Sequence, residues 1–186
     1  MPTAILRPDS TTSQTGWGTS NIHTVIGDNN TGTSAAQNNV TCNFTGTLSD
    51  LDGSLSGATI NSFTISLTGV PGRAGAATVE MSLSHSSDGQ FAVESESFGS
   101  GTSTQTTSAR TTQQDGSSAL TFAYMNSCSV KIVPNNQGIT VKELFVTVDY
   151  TAAASGYGNK VIGVASANIG KVNGVATANI EKVIGV

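Results

Sequence analysis

The sequence predicts an all-β protein: an antiparallel two-sheet sandwich, jelly-roll-like, followed by a short C-terminal repeat tail in extended and turn conformation. Apolar and polar residues alternate along a series of short stretches, which is the pattern of half-buried strands. Asp-Gly, Pro-Gly and Gln-Gly pairs separate these stretches, as expected of turns. Few Leu, Glu and Lys residues are present to build helices, so an all-β fold is favoured.

The strands follow from the alternation, taken in order along the chain. They are predicted over residues 21–26, 40–45, 59–68, 77–84, 91–98, 120–132 and 139–151. The run 120–132 is expected to break into two strands near residues 126–127. The last run is expected to bulge at residues 142–143, because its alternation changes phase there. The polar, low-complexity stretch 99–118 is expected to form an exposed loop or ragged edge strands.

Two carboxylates stand two positions apart in the stretch 91–98. Phe91 and Val93 are expected to face the core, which turns Glu94 and Glu96 outward. A carboxylate pair can serve a glycosidase only across a cleft of suitable width. We therefore expect these two acids to line a solvated outer face.

The composition changes along the chain and predicts its organisation. Residues 1–20 are expected to form an irregular N-terminal arm, and residues 21–150 the sandwich domain. The small residues of 151–158 read as a linker, and 159–186 as a repeat tail for assembly.

The charge distribution excludes one class of partner. Charged residues make up 11% of the chain and the net charge is −4; the repeat tail carries +2 and the rest −6. An acidic body lacks the clustered cations that nucleic-acid binding requires. No stretch approaches the length of a membrane helix, and the start lacks a signal peptide, so neither a nucleic acid nor a membrane is expected as partner. We expect synthesis in a cytoplasm, where Cys42 and Cys128 remain reduced and pack as buried thiols.

No motif in the chain indicates catalysis, a cofactor or a metal. Neither a nucleophile elbow nor a phosphate-binding loop is present, and His23 and His85 are isolated residues. Asp50, Asp52 and Ser54 are spaced like the start of a calcium loop, but the closing Glu is missing. We therefore predict a plain Asp-Gly turn there, and a protein that is not an enzyme.

An eleven-residue repeat ends the chain, with Lys-Val-x-Gly-Val beginning at positions 160, 171 and 182. A Gly in each copy opposes a helix, and the odd period opposes a continuous strand. The repeat therefore predicts extended segments joined by turns, as at Asn173-Gly174; a disordered tail is the alternative. So few units bury little by themselves, which predicts that the tail assembles with other copies or a partner. The predicted interface consists of apolar tail residues: Val161, Val164, Ile169, Val172, Val175, Ile180 and Val183.

The repeat and four further motifs resemble virion proteins. The element KVNGVATANI is similar to short repeats in structural proteins of tailed phages of the marine type. The body resembles a jelly-roll-like domain of phage head-decoration and tail-associated proteins at Arg7-Pro8, Gly16-Trp17, Ile26 with Asp28, and ELFVTVDY (143–150). The resemblance implies a capsid decoration or cement protein located in the virion. Its implied partners are further copies, as a homotrimer, and other virion proteins such as the major capsid protein.

A second function remains open from the sequence: a carbohydrate-binding tail-fibre or adhesin module. Such modules stack exposed aromatic side chains on sugar rings. The available candidates are Trp17, Tyr124 and Tyr157. Trp17 also suits a different position, as a plug over one end of the sandwich.

Overall fold

A computed structural model describes residues 1–37, 42–72, 77–85, 89–135 and 138–153, and the backbone of 171–172 and 175–176. The chain divides into two compact units, Met1–Thr151 and Ala152–Val186.

The described part of the first unit consists of strands with three short helical segments. The strands are β1 (Thr3–Leu6), β2 (Ser13–Thr15), β3 (Ala35–Ala36), β4 (Asn43–Thr47), β5 (Thr59–Pro71), β6 (Ala77–His85), β7 (Gly89–Phe98), β8 (Ser103–Thr106), β9 (Cys128–Pro134) and β10 (Ile139–Thr151). The helical segments are α1 (His23–Ile26), α2 (Phe122–Asn126) and a 3-10 turn at Gly53–Leu55. No described helix has the length and apolarity needed to span a membrane.

The strands form two antiparallel sheets. Sheet I has the order β1-β10-β5-β8, with β3 also paired to β10; sheet II has the order β2-β4-β9-β6-β7. Without β1 and β2, the orders β3-β10-β5-β8 and β4-β9-β6-β7 interleave as two four-stranded jelly-roll sheets do. The predicted fold class is confirmed.

The core lies between the sheets and follows the predicted alternation in the long strands. On the inner face of sheet I, Phe63, Ile65 and Leu67 of β5 lie beside Leu144 and Val146 of β10, and all five are buried. The register of β10 against β5 shifts between Val141 and Glu143, which confirms the predicted bulge. The stretch 99–118 contributes β8, an edge strand of sheet I.

Two predicted strands are helical instead. Residues 21–26, predicted as a strand, contain α1, because Ile22 and Ile26 both reach the core at helical spacing. Residues 122–126 form α2, where the Thr121 hydroxyl accepts a hydrogen bond from the Tyr124 N–H at 3.1 Å and caps the first turn. The predicted break near residues 126–127 is correct, since β9 begins at Cys128.

Residues 1–20 were expected to be irregular, whereas the structure places a strand of each sheet within them. Thr3 lies opposite Asp149, which adds β1 to sheet I. Ser13 lies opposite Thr45, which adds β2 to sheet II. Backbone pairing overrides the turn-rich composition there.

The second unit is described at one place in the repeat. Strands β11 (Lys171–Val172) and β12 (Val175–Ala176) pair antiparallel, with Lys171 opposite Ala176. These residues have the extended conformation expected of the tail. The predicted turn at 173–174 and the rest of the repeat lie outside the described residues.

Candidate functional site

Strand β7 reverses its faces at a β-bulge. Phe91 lies opposite buried Leu83, but the next core-facing pair is Glu94 opposite Met81, so one extra residue is inserted between them. Ala92 has a φ of 51°, a left-handed conformation that costs free energy for a residue with a side chain. The predicted inward position of Val93 is therefore wrong: its side chain is 49% exposed.

Ser82 of β6 occupies the skipped position opposite this bulge. It also lies opposite Lys131 of β9, on the outer face of sheet II. Ser82 is only 1% exposed, and its hydroxyl has no hydrogen-bond partner within the described residues. A buried hydroxyl without a protein partner is unfavourable, and it can bond with a polar group that reaches it.

A chain of polar side chains crosses β6, the strand that carries Ser82, from β9 to β7. The Lys131 ammonium donates to the Gln90 Oε1 at 3.1 Å, and the Gln90 Nε2 donates to the Glu80 Oε1 at 3.0 Å. We call Glu80, Ser82, Gln90, Val93 and Lys131 the bulge site. It combines donors, acceptors, opposite charges and an exposed apolar side chain on one sheet face.

Rows of hydroxyl groups lead across sheet II to the bulge site. Cross-strand pairing aligns the first row across four strands: Ser13, Thr45, Lys131 and Ser82. A second row runs beside it: Thr47, Ser129, Ser84 and Gln90. Strands lie ~4.8 Å apart, so each row spans roughly 14 Å. This face can form many weak hydrogen bonds with an elongated polar ligand.

The predicted stacking aromatics do not form a common platform. Trp17 is half-buried against the core, and its indole N–H donates to the Asn43 carbonyl at 2.7 Å, consistent with a plug at one end of the sandwich. Tyr124 is 6% exposed and stacks on His85, with ring centroids 4.2 Å apart. Tyr124 is therefore too buried to serve as a sugar platform. Tyr157 lies outside the described residues.

One aromatic residue of an outer face was missed by the sequence reasoning. Phe145 lies opposite Ser66 on the outer face of sheet I, with the Arg7 guanidinium 5.3 Å from its ring centroid. The same guanidinium forms a salt bridge of 2.7 Å with Glu143. The signal was available, because Phe145 is out of phase with Leu144 and Val146. Since Arg7 covers the ring, this cluster serves packing more than stacking.

The residues expected to lack catalytic or metal chemistry have structural partners. The His23 Nδ1 is bonded to the Thr11 hydroxyl at 2.8 Å. The Asp52 carboxylate accepts from the Ser54 N–H at 2.8 Å, and hydrogen bonding to Ser54 lowers the Asp52 pKa. Asp50, Asp52 and Ser54 thus border a capped turn. Within the described residues, no three His, Cys, Asp or Glu side chains gather at a metal-binding distance.

Glu94 and Glu96 do not line the outer face, contrary to the prediction. After the bulge they lie on the core side of β7, opposite Met81 and Val79, at the open side of the sandwich. The Glu94 Oε2 accepts a hydrogen bond from the Ser108 N–H at 2.8 Å. Glu94 therefore makes a structural contact with the segment that follows β8.

Both cysteines are buried thiols, as predicted. Burial raises the pKa of the Cys42 thiol to about 12. The Cys128 thiol donates to the Tyr124 carbonyl at 3.3 Å. A protonated, enclosed thiol is a poor nucleophile, so Cys42 acts as a small apolar residue.

The predicted tail interface is described only in part. The backbones of Val172 and Val175 lie opposite each other between β11 and β12. The other predicted positions lie outside the described residues: Val161, Val164, Ile169, Ile180 and Val183.

No family model matches the chain, and no curated protein matches it. The solved structures that are similar to it include two carbohydrate-binding modules. One is the C-terminal CBM6 of LamC, a marine laminarinase from Zobellia galactanivorans, with a TM-score of 0.42 and 8% identity over 79% of this chain and 98% of that one. The other is the carbohydrate-binding module CBM6cm-2 of Cellvibrio mixtus lichenase 5A in complex with cellotriose, with a TM-score of 0.42 and 12% identity over 80% of this chain and 97% of that one. We transfer no site or ligand from either of these distant structures.

Proposed function

We propose that this protein is a non-catalytic carbohydrate-binding module and that the bulge site on sheet II is its binding site. The observation that carries the proposal is the buried, unpartnered hydroxyl of Ser82, which lies opposite Lys131 on the strand that the Lys131–Gln90 hydrogen bond crosses. A ligand hydroxyl that displaces this bond would reach Ser82, Lys131 and Gln90 together.

The chemistry of the site suits a sugar. A sugar ring presents hydroxyl groups that both donate and accept, together with apolar C–H faces. Gln90 offers both hydrogen-bonding roles, Lys131 only donates and Glu80 only accepts. Val93 supplies an exposed apolar contact beside them.

The hydroxyl rows favour an oligosaccharide over a single sugar. Residues Ser13 and Thr45 extend the site from Lys131 toward the far edge of sheet II. A chain of a few sugar units lying across the strands can bond to each in turn, partly through bridging waters. Because the described face of sheet II lacks an aromatic platform, we expect weak binding that gains strength from several copies.

A glycan array probed with the full chain, followed by calorimetric titration of any bound oligosaccharide, tests the proposal. Lys131→Met should lower the affinity by about tenfold or more, as loss of a charged hydrogen bond does. The matched control is Lys142→Met, because Lys142 bonds to the Thr31 carbonyl on the other side of the sandwich. Absence of glycan binding, or equal loss in both variants, would contradict the proposal.

Ser82→Ala separates binding from folding. It removes a buried hydroxyl without a partner, so we expect the free energy of unfolding to stay equal or rise. We expect the oligosaccharide affinity to fall at the same time. A fall in both quantities would mean that Ser82 has only a structural role.

A second candidate function is virion assembly, as a capsid decoration or cement protein. It is supported by the division of the chain at Thr151/Ala152 and by paired strands within the repeat. Paired extended segments are suited to add to other strands. The test compares the mass of the full chain with that of a variant ending at Gly156, by size exclusion with light scattering. A trimer that becomes a monomer on truncation supports assembly through the tail. The same oligomeric state in the full and the truncated chain removes that support.

A further inference from the structure

We propose that the outer edge of β1 pairs with β1 of a second copy, so that two sheets I join across a two-fold axis. The proposal goes beyond carbohydrate binding and uses a surface on the other sheet from the bulge site. The partner is an identical chain, and the interface is an antiparallel pair of edge strands.

The backbone groups at this edge can be assigned from one hydrogen bond. The Tyr150 N–H donates to the Pro2 carbonyl at 3.2 Å, so positions 2 and 150 form a hydrogen-bonded pair. Such pairs alternate along antiparallel strands, which places Ala4 and Leu6 as the next residues bonded to β10. The N–H and C=O groups of Thr3 and Ile5 therefore point away from β10, toward the free edge.

No described strand pairs with the outward groups of Thr3 and Ile5, whereas those of Arg7, the next outward residue, bond to Ser49. β1 pairs with β10 alone, and β3 meets β10 further along, at Thr140 and Val141. Unpaired strand edges are templates for pairing with another chain.

The free groups are complementary to themselves. When Ala4 lies opposite Ala4 of a second copy, Thr3 of each chain lies opposite Ile5 of the other. Each of these pairs exchanges an N–H and a C=O that otherwise face outward, so every free group from Thr3 to Ile5 gains a partner. The small Ala4 side chain at the axis permits close approach of the two strands.

The exposed apolar side chains fit the same register. Ile5 is 45% exposed and Met1 is 86% exposed, whereas Val93 is the remaining large hydrophobic residue that the described residues expose. In this register the two Ile5 side chains are diagonal neighbours on the outer face, about 7–8 Å apart at their Cα atoms. Pairing thus covers an apolar side chain that the single chain leaves in water.

The flanking prolines do not block the edge. A proline protects an edge strand when its missing N–H would have faced the partner. The nitrogen of Pro2 lies on the β10 side of the strand, because position 2 is bonded to Tyr150. Pro8 lies beyond the strand, in an isolated bridge with Leu48.

Sedimentation velocity of the full chain without an N-terminal tag, over a range of concentrations, tests the proposal. We expect a monomer–dimer equilibrium. Thr3→Pro removes an outward N–H from each copy and leaves the pairing with β10 intact, so it should shift the equilibrium to monomer without loss of the far-ultraviolet circular dichroism spectrum.

Ile5→Lys is the second variant, and Val93→Lys is its matched control, since each adds a charge at a half-exposed strand position. We expect Ile5→Lys to abolish the dimer and Val93→Lys to retain it. A chain that stays monomeric at every concentration, or a dimer that survives both Thr3→Pro and Ile5→Lys, would overturn the proposal.

Discussion

The Glu94 carboxylate accepts a hydrogen bond from the Ser108 backbone N–H at 2.8 Å across the open side of the sandwich. Glu94 belongs to the edge strand of sheet II, and Ser108 follows the edge strand of sheet I. The contact exists because the bulge at Ala92 turns Glu94 inward. One extra residue thus exposes Val93 at the bulge site and fastens the two sheets together.

Glu94→Ala should therefore destabilise the sandwich. The variant leaves the Ser108 N–H without its carboxylate partner, and we expect a loss of about 1 kcal/mol in the free energy of unfolding, because the contact is near solvent. Urea denaturation measures the change. Ser95→Ala, an exposed neighbour on the same strand, is the control and should change the stability little; equal losses would show that the hydrogen bond is not the cause.

Gly46→Ala should destabilise the protein by a steric effect. A Cβ at Gly46 would lie 2.3 Å from the Ser10 carbonyl oxygen and 2.5 Å from the Phe44 ring. Both neighbours are held in place, so we expect a loss of about 1–3 kcal/mol, as in overpacked cores. Gly53→Ala is the matched control, because nothing lies within 4 Å of its added Cβ. Thermal unfolding of the two variants decides the point: similar melting temperatures would contradict the steric account.

The Cys42 thiol should react slowly with thiol reagents in the folded protein. Its pKa is raised from 9.0 to about 12 by burial, so it stays protonated under mildly alkaline conditions. A thiol-reactive chromogenic disulfide at pH 8 should label it slowly in buffer and rapidly in denaturant. Fast labelling of the folded Cys42 would show that this region opens readily.

The same shift has a consequence for stability in alkali. The thiol of the unfolded chain ionises near its ordinary pKa, below that of the folded chain, so the unfolded state loses its proton first. The contribution of Cys42 is therefore present below pH 9 and is lost as the pH rises toward about 12. Cys42→Ala should flatten that part of the profile of stability against pH; an unchanged slope would contradict this expectation.

Asp115 should give the opposite dependence in acid. Its carboxylate accepts hydrogen bonds from the Ser117 and Ser118 N–H groups and from the Ser118 hydroxyl, which lower its pKa from 3.8 to about 2. The stabilisation is present above pH 3.8 and is lost as the pH falls toward about 2. We expect the stability of the unaltered chain to fall more steeply over that range than that of Asp115→Asn, and parallel curves would rule the effect out.

Alternation predicted the long strands because their burial is regular. Along β10 every second residue from Leu144 to Val148 is buried, and the bulge before Glu143 shows in the sequence as a change of phase. The same reasoning failed at Ile22 and Ile26. A spacing of four residues fits both one turn of a helix and two repeats of a strand. Such a short stretch therefore cannot distinguish a helix from a strand.

The bulge site could not be predicted in this way. Ala92 carries no signal for a left-handed conformation, which is commonest for Gly and Asn. A single inserted residue then inverted the predicted faces of Val93 and Glu94. The surroundings of the Ser82 hydroxyl depend on the pairing of β6 with β9, which is distant in the sequence. Trp17 is partly buried against the core, which agrees with a packing role for a lone tryptophan in a turn-rich stretch.

The pairing of Thr3 with Asp149 has a consequence for how the molecule is made. The first strand of the sandwich must wait for its last strand, because β10 lies in the interior of sheet I and is synthesised after all its neighbours. Until residue 151 has emerged from the ribosome, both β1 and β5 lack their common partner. Such distant pairing is typical of slow folding with exposed intermediates. We therefore expect the domain to fold only after its synthesis is complete, and to require help against premature association at that stage.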